Sequence, residues 1–143
     1  MELNWKNKKV ALDTNIFIYF FENNQKYANT IENFLKTWEK ERTILSVADI
    51  LFTELLVGPF KVKDYSTASK WLQFFNTARI EIKSTTSSIT IKAAKLRAMY
   101  NLKTPDSIHL ATAMESDCDY FIGNDSKLKK IKEIKTLCLS ELQ

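Results

Sequence analysis

Two acidic residues follow short apolar runs of the sequence, in positions where a carboxylate could take part in chemistry. Asp13 comes directly after residues 10–12, and Asp125 comes shortly after residues 120–122. In parallel sheets, functional groups collect just beyond the carboxyl ends of the strands. Each of the two also has a simpler interpretation as a helix cap, because Asp accepts hydrogen bonds from the free amides of a first helical turn.

A third acidic residue, Glu54, lies on an apolar helix face. Its neighbours at helical spacing are Ile50, Leu51 and Val57. Burying an isolated carboxylate costs roughly several kcal/mol, so such a group must be paired, protonated or bound to a cation. An internal salt bridge to a Lys or Arg explains this position equally well.

A fourth acidic residue, Asp106, is predicted at the second position of a helix that Thr104 and Pro105 open. Free amides and the helix dipole favour an anion there. Residues 108–114 are apolar nearly all round, which predicts an internal helix whose start opens into a buried cleft. His109 lies on the same segment, and a histidine in such a place is more often a core residue than a catalyst.

Four carboxylates in one cleft would repel each other unless a divalent cation neutralised them. Mg²⁺ and Mn²⁺ take carboxylate oxygens and suit phosphate chemistry, because the metal activates a water and offsets charge on a phosphodiester. Cys118 and Cys138 are far apart and the chain has one His, so neither a zinc site nor a redox pair is indicated. Two inert, reduced thiols are expected.

Short strands and helices alternate along the chain, which is the pattern that must position these acids. The predicted strands lie at residues 10–12, 43–47, 80–82, 120–122 and 136–139. The predicted helices lie at residues 16–20, 27–40, 48–57, 68–75, 89–100, 104–115 and 128–131, with Gly58 and Pro59 ending the third. This alternation predicts a three-layer α/β/α fold around a mainly parallel central sheet.

Composition supports one folded domain over residues 1–143. Of the 143 residues 45% are hydrophobic, which excludes a disordered chain, and the longest apolar run is far too short to span a membrane. Polar residues interrupt the only apolar stretch near the start, so no signal peptide is indicated and a cytoplasmic location is expected.

The charge balance fits a polyanionic partner. The 21 Lys and Arg residues exceed the 17 Asp and Glu residues, giving a net charge of +4. Two groups of basic residues are candidate contact surfaces, although a charged group is also what any solvated surface carries. The first group is Lys127, Lys129, Lys130, Lys132 and Lys135, and the second is Lys92, Lys95, Arg97 and Lys103.

Four segments of the sequence together resemble the acidic motifs of PIN-domain nucleases, and most closely those of the VapC-like toxins of toxin-antitoxin pairs. They follow the order and spacing of the family from residue 10 to the last strand. The segments are Ala11-Leu12-Asp13-Thr14-Asn15, Thr53-Glu54-Leu55-Leu56, Thr104-Pro105-Asp106-Ser107-Ile108-His109-Leu110-Ala111-Thr112-Ala113 and Tyr120-Phe121-Ile122-Gly123-Asn124-Asp125.

The resemblance implies a metal-dependent endoribonuclease that cleaves RNA phosphodiesters with a metal-activated water. It implies that four acids hold one or two Mg²⁺ or Mn²⁺ ions, namely Asp13, Glu54, Asp106 and Asp125. It further implies a small antitoxin as partner and a homodimer. Three polar residues match positions near the site of the family, namely Thr14, Asn15 and Ser107. One position departs from the family, because Gly123 stands where a Ser or Thr is usual.

Two other functions are compatible with the same pattern. A PIN-like module that binds RNA or protein without cleaving it would keep the fold. The missing hydroxyl at Gly123 keeps this alternative open, whereas the intact acids argue against it. A receiver-type phosphotransfer domain has a similar size and a similar alternation of strands and helices. Such a domain needs further acids beside the one after the first strand, whereas Asp13 stands alone there.

Overall fold

A computed structural model describes residues 3–76 and 80–142 of the chain. Its strands are β1 (Lys9–Leu12), β2 (Ile44–Ala48), β3 (Ile80–Lys83), β4 (Tyr120–Gly123) and β5 (Lys135–Cys138). Its helices are α1 (Thr14–Phe21), α2 (Ala28–Lys40), α3 (Leu51–Lys61), α4 (Tyr65–Phe74), α5 (Ser87–Tyr100) and α6 (Thr104–Glu115). Two short 3₁₀ helices follow β4 and β5, at Ser126–Lys130 and Leu139–Glu141.

The five strands form one parallel sheet in the order β3-β2-β1-β4-β5. The predicted three-layer α/β/α fold with a parallel sheet is therefore confirmed. From β1 the chain builds outward through β2 and β3 on one side, and it later adds β4 and β5 on the other. The carboxyl ends of β1 and β4 thus lie side by side at the point where the strand order reverses, which is where sheets of this kind place their sites.

Alternate side chains of the strands pack into two separate cores, one on each face of the sheet. Val10 and Leu12 belong to the larger core, which contains residues of α1, α2, α3 and α4. Ala11 and Phe121 point to the other face, where they pack with residues of α5 and α6. The sheet is therefore covered by helices on both faces, as the buried strand pattern predicts.

An aromatic cluster holds α1, the helix that begins directly after Asp13. The ring of Phe17 lies 4.9 Å from that of Phe75, and the ring of Phe21 stacks on Trp71 at 5.4 Å. Aromatic pairs of this kind contribute about 0.5–1.5 kcal/mol each beyond the burial of their area. The start of α1 is consequently fixed against α4 by packing that does not involve the acids.

One predicted helix has different bounds in the structure. The sequence predicts a helix over residues 48–57 that ends at Gly58, whereas α3 begins three residues later and includes both Gly58 and Pro59. Leu51, Leu55 and Pro59 are buried and four residues apart, so they form one stripe against the core. Packing of this stripe outweighs the loss of one backbone hydrogen bond at the proline.

The other predicted elements agree with the structure to within a few residues at their ends. The last predicted helix, at residues 128–131, is a 3₁₀ helix that begins two residues earlier. The longest described helix, α5, has 14 residues. Within residues 3–76 and 80–142, no helix has both the length and the apolar character that a membrane crossing requires.

Candidate functional site

Asp13 links β1 to α1 and faces the junction with β4. Its backbone N–H donates to the carbonyl of Ile122 at 3.0 Å, which joins the ends of the two central strands. Its Oδ1 accepts a hydrogen bond from the backbone N–H of Thr14 at 2.8 Å, so the residue is also the cap of α1. The interpretation of Asp13 as a helix cap is therefore confirmed, and this cap occupies only one of its two carboxylate oxygens.

Glu54 reaches from α3 toward α1 and α6. Its Oε1 accepts two hydrogen bonds, from the hydroxyl of Thr14 at 2.8 Å and from Nε2 of His109 at 2.6 Å. Burial alone would raise the pKa of Glu54, but these two hydrogen bonds and the charge of His109 together outweigh burial and hold the pKa below its ordinary value. In the described part of the chain no Lys or Arg pairs with Glu54, so the alternative of a salt bridge to one of them is wrong.

His109 contacts the acids, although the sequence indicated a core residue at this position. It is 2% exposed, and its Nε2 lies 3.1 Å from the Thr14 hydroxyl and 3.8 Å from Oδ1 of Asp13. A carboxylate can only accept, so the 2.6 Å contact with Glu54 requires a hydrogen on Nε2. His109 lies one helical turn after Asp106, and this i, i+3 spacing is the signal that could have placed it on the same face.

Asp106 lies in the first turn of α6, at the third position of the helix rather than the predicted second. Its pKa is raised, first by burial and then by the negative charge of Asp125, with Glu54 adding to the effect. Asp125 caps the 3₁₀ helix after β4, since its Oδ1 accepts from the backbone N–H of Lys127 at 2.9 Å. The capping expected for Asp125 is therefore present, and the negative charge of the same carboxylate also raises the pKa of Asp106.

The four acids form one electrostatic cluster. Burial is the main cause that raises the pKa of Asp13, and the charges of Asp106 and Glu54 raise it further against the opposing effect of His109. Throughout the described residues, none of the four carboxylates has an ion pair with a Lys or Arg. The opposing charge comes from His109 and, for Asp106, also from Lys103, so the protein offsets the negative charge of the four acids only in part.

This charge balance and the oxygen donors fit a hard divalent cation. The side chains do not yet converge on one point, however: among the residues that the structure describes, no three His, Cys, Asp or Glu side chains are close enough to hold a metal ion. Glu54 is turned toward His109 and Thr14. Binding of an ion would require the carboxylates to turn toward a common centre.

Of the three polar residues that the resemblance places near the site, one touches the acids. Thr14 is buried and donates to Glu54. Ser107 is fully buried, but its hydroxyl donates to the carbonyl of Thr104 at 2.7 Å and so satisfies the helix backbone. The side chain of Asn15 is exposed. Thr14 is therefore the residue of this group that the fold directs into the site.

Gly123 borders the site at the end of β4. A Cβ atom added there would lie 3.5 Å from Oδ2 of Asp13, so a side chain at this position would adjoin the acid. The same atom would lie only 2.6 Å from a methyl group of Leu128, which is buried. Leu128 thus fills the space in which the hydroxyl implied by the resemblance would lie, and a larger residue at position 123 would force Leu128 to move.

A fifth acid, Asp49, follows β2 at the same edge of the sheet and was missed from the sequence. Its carboxylate accepts from the hydroxyl of Thr85 at 2.6 Å and from the backbone N–H of Thr85 at 3.2 Å. These bonds tie the loop after β2 to the loop after β3. Its position directly after an apolar strand could have identified it in the sequence. Because its carboxylate is hydrogen-bonded to Thr85, its role is to connect these two loops.

Both cysteines are free thiols. Burial raises the pKa of Cys118 to about 11, so this thiol stays protonated at neutral pH and is a poor nucleophile. Cys138 is buried next to the loop after β4, where its sulfur lies 3.5 Å from Oδ1 of Asn124. The chemistry available at this edge of the sheet is therefore that of the carboxylates and His109.

Comparison with known proteins gives one family and several solved structures. The family model described as PIN domain matches residues 10–134. VapBC2 from Rickettsia felis, bound to a DNA fragment from the promoter, matches with a TM-score of 0.73 and 21% identity over 91% of this chain and 98% of that chain. DNA-bound VapBC from Salmonella typhimurium matches with a TM-score of 0.72 and 17% identity over 92% and 98% of the two chains.

A further similar structure is VapC20 from Mycobacterium tuberculosis, described as a toxin that cleaves the sarcin-ricin loop. It matches with a TM-score of 0.68 and 9% identity, over 88% of this chain and 98% of that chain. A search of curated proteins gives no match. At these identities the solved structures establish a shared fold over nearly the whole length of both chains.

Proposed function

The chain belongs to the PIN domain family, and on that basis we propose that it is a metal-dependent endoribonuclease acting as the toxin of a toxin-antitoxin pair. The observation that carries the proposal is the cluster of four acids at the junction of β1 and β4, where burial and the charges of neighbouring acids raise the pKa values of Asp13 and Asp106. Its partners in this proposal are an RNA substrate, a small antitoxin and a second copy of the chain.

The acids that would hold Mg²⁺ or Mn²⁺ are Asp13, Glu54, Asp106 and Asp125. Such an ion, when bound, supplies positive charge that lowers the pKa of water and offsets the charge of a phosphodiester. The hydrogen bonds from Thr14 and His109 both fall on Oε1 of Glu54 and leave Oε2 available. Burial and the neighbouring carboxylates raise the pKa values of Asp13 and Asp106, and a cation bound by these acids would relieve that repulsion.

RNA is the substrate class that the observations favour. VapC20, which has the same fold, is described as cleaving the sarcin-ricin loop. The net charge of +4 also suits a polyanion. The purified chain should cut RNA in the presence of Mn²⁺ or Mg²⁺ and stop when EDTA is added, and cleavage that continues in EDTA would reject the metal-dependent mechanism.

Metal binding has an expected effect on stability that does not depend on activity. A cation that binds only the folded chain at about 100 times its Kd adds about 2.7 kcal/mol, which raises the Tm of a chain of this size by roughly 8 °C. We expect Mn²⁺ to give such a shift in a thermal melt of the wild-type chain, and a smaller one in the Asp106→Asn variant. An unchanged Tm at millimolar Mn²⁺ would count against the metal site.

The alternative function is a PIN-like module that binds RNA or protein without cleaving it. The observation that favours it is the orientation of Glu54 toward His109, because the carboxylates do not converge in the described structure. The two functions differ in one measurement. The module binds labelled RNA equally with and without metal and leaves it intact, whereas the nuclease shortens it.

An exposed apolar face on α3 and α4 suits the antitoxin. Val57, Phe60, Val62 and Tyr65 are all exposed, and Phe60 is 47% accessible. A groove of about 630 Å³ runs along α3 at this face and includes Thr53, which precedes Glu54. The solved structures with this fold include toxin-antitoxin complexes. We therefore propose that an apolar segment of the antitoxin occupies this groove and covers the acidic cluster.

The substitution Phe60→Asp tests this surface. The wild-type chain should arrest growth of a bacterial host when expressed alone, and coexpression of the short reading frame next to its gene should restore growth. Phe60→Asp should still arrest growth, but the antitoxin should bind it at least about tenfold more weakly and fail to rescue, because a charge enters an apolar contact.

The matched control is Met99→Asp, which places the same charge on an exposed apolar residue of α5, on the opposite face of the sheet. This variant should be rescued like the wild type. Full rescue of Phe60→Asp by the antitoxin would contradict the proposed groove. A wild-type chain that never slows growth would contradict the toxin function itself.

A further inference from the structure

The 3₁₀ helix Ser126–Lys130 presents lysines on two of its three faces. A 3₁₀ helix has about three residues per turn, so residues three apart share a face. Leu128 and Ile131 are buried and form the inner face. Lys127 and Lys130 are exposed and share a second face, while Lys129 lies on a third.

The two lysine faces differ in their partners. The ammonium group of Lys129 forms an ion pair with Glu141 at 3.3 Å. In residues 3–76 and 80–142, the side chains of Lys127 and Lys130 have no acidic partner. The positive charge of this second face, which we call the Lys127/Lys130 face, is therefore available to a ligand.

The Lys127/Lys130 face begins at the acidic cluster. The backbone N–H of Lys127 donates to Oδ1 of Asp125 at 2.9 Å, which fixes the start of the helix against that carboxylate. Asp125 in turn acts on the pKa of Asp106. In the described part of the chain, no ion pair joins these lysines to the acids. The backbone of the Lys127/Lys130 face thus starts at a member of the acidic cluster, while its ammonium groups remain available to a ligand.

In the second group of basic residues, two of the three members on α5 already have partners, while the fourth member, Lys103, precedes α6 and its positive charge acts on Asp106. Lys92 is paired with Glu115 at 3.0 Å, and Nε of Arg97 donates to the carbonyl of Leu102 at 3.1 Å. Both residues belong to α5, which covers the sheet rather than extending from one of its carboxyl ends. The face after Asp125 is therefore a better candidate than α5 for contact with a substrate that reaches the acids.

We propose that Lys127 and Lys130 bind the RNA phosphates next to the phosphodiester that is cut at the acidic cluster. This inference rests on the proposed nuclease function. Ammonium groups bind phosphates as point charges, and the rise of about 2 Å per residue separates the two lysines by about 6 Å along the helix. Each lysine therefore meets a different part of the strand. The lysines attract the polyanion, while the acids remain free for a cation.

The test compares KM and kcat for a defined single-stranded RNA over a range of salt concentrations. The double variant Lys127→Gln/Lys130→Gln should raise KM about tenfold and leave kcat within about threefold. It should also make the logarithmic dependence of binding on salt shallower by about 1.4, since each phosphate contact to a single strand contributes about 0.7. Lys127→Arg/Lys130→Arg should keep a KM near that of the wild type.

The matched control, Lys36→Gln/Lys129→Gln, removes the same charge from two lysines that already have acidic partners, Glu32 and Glu141. Its KM and salt dependence should stay near the wild-type values. An equal loss in this control, or an unchanged KM in Lys127→Gln/Lys130→Gln, would overturn the inference. A lower kcat at unchanged KM would also overturn it. Failure of the wild-type chain to cut any RNA is a different outcome, because it rejects the proposed function.

Discussion

The variant Asp106→Asn is expected to cleave RNA at least about a hundredfold more slowly than the wild-type chain while remaining as stable or becoming more stable. Removing groups that merely support a metal ligand costs about 10–100-fold, so loss of a ligand itself should cost more. Burial and the charges of Asp125 and Glu54 raise the pKa of Asp106, so its ionised form destabilises the fold at neutral pH. The neutral amide removes that penalty.

The experiment measures kcat/KM for RNA with saturating Mn²⁺ and the Tm in EDTA. Asp117→Asn is the matched control, because it makes the same chemical change at an exposed residue just after α6. The control should retain wild-type activity. If the kcat/KM of Asp106→Asn stays within a few-fold of the wild-type value, Asp106 is not a ligand that the reaction requires. A marked fall in its Tm would show that the carboxylate stabilises the fold instead of opposing it.

The second large effect is expected at His109. His109→Ala should lower kcat/KM about 10–100-fold and destabilise the fold by about 1–3 kcal/mol, because Glu54 and Thr14 lose a buried hydrogen-bond partner. His109→Gln carries an amide donor at a similar distance from the backbone. It should therefore recover part of both losses.

Chemical denaturation measures the stability of the two variants. The Mn²⁺ concentration that gives half the maximal cleavage rate tests whether His109 holds Glu54 in position for the metal. If His109 acts by holding Glu54, the Ala variant needs more Mn²⁺ for half-maximal rate than the Gln variant does. A Gln variant as impaired as the Ala variant in both measurements would refute the role as a hydrogen-bond donor to Glu54.

The sheet and the positions of the acids could be predicted because they depend on local patterns. Apolar runs followed by Asp13 and Asp125 mark the carboxyl ends of two strands, and a parallel sheet brings such ends to one edge. The order of the strands does not follow from these patterns. The pairing of β1 with β4 is what brings the strand ends before these two Asp residues side by side.

The partners of the acids could not be predicted, because they depend on long-range packing. Glu54 and His109 are 55 positions apart, and no local pattern shows that their side chains meet. The apolar surroundings of Glu54 required a partner but did not distinguish a Lys from a His. In the same way, Gly58 and Pro59 are local stop signals that the buried stripe of α3 outweighs.

The adjacency of β1 and β4 has a consequence for synthesis of the protein. Val10 pairs with Tyr120, so the ribosome adds another 110 residues after Val10 before this pair can form. At about 5–20 residues per second, the nascent chain spends roughly 6–22 s without a complete set of acids. Under the toxin function proposed above, the growing polypeptide lacks a complete site during this interval, and an antitoxin that is already present can meet the chain as it is released.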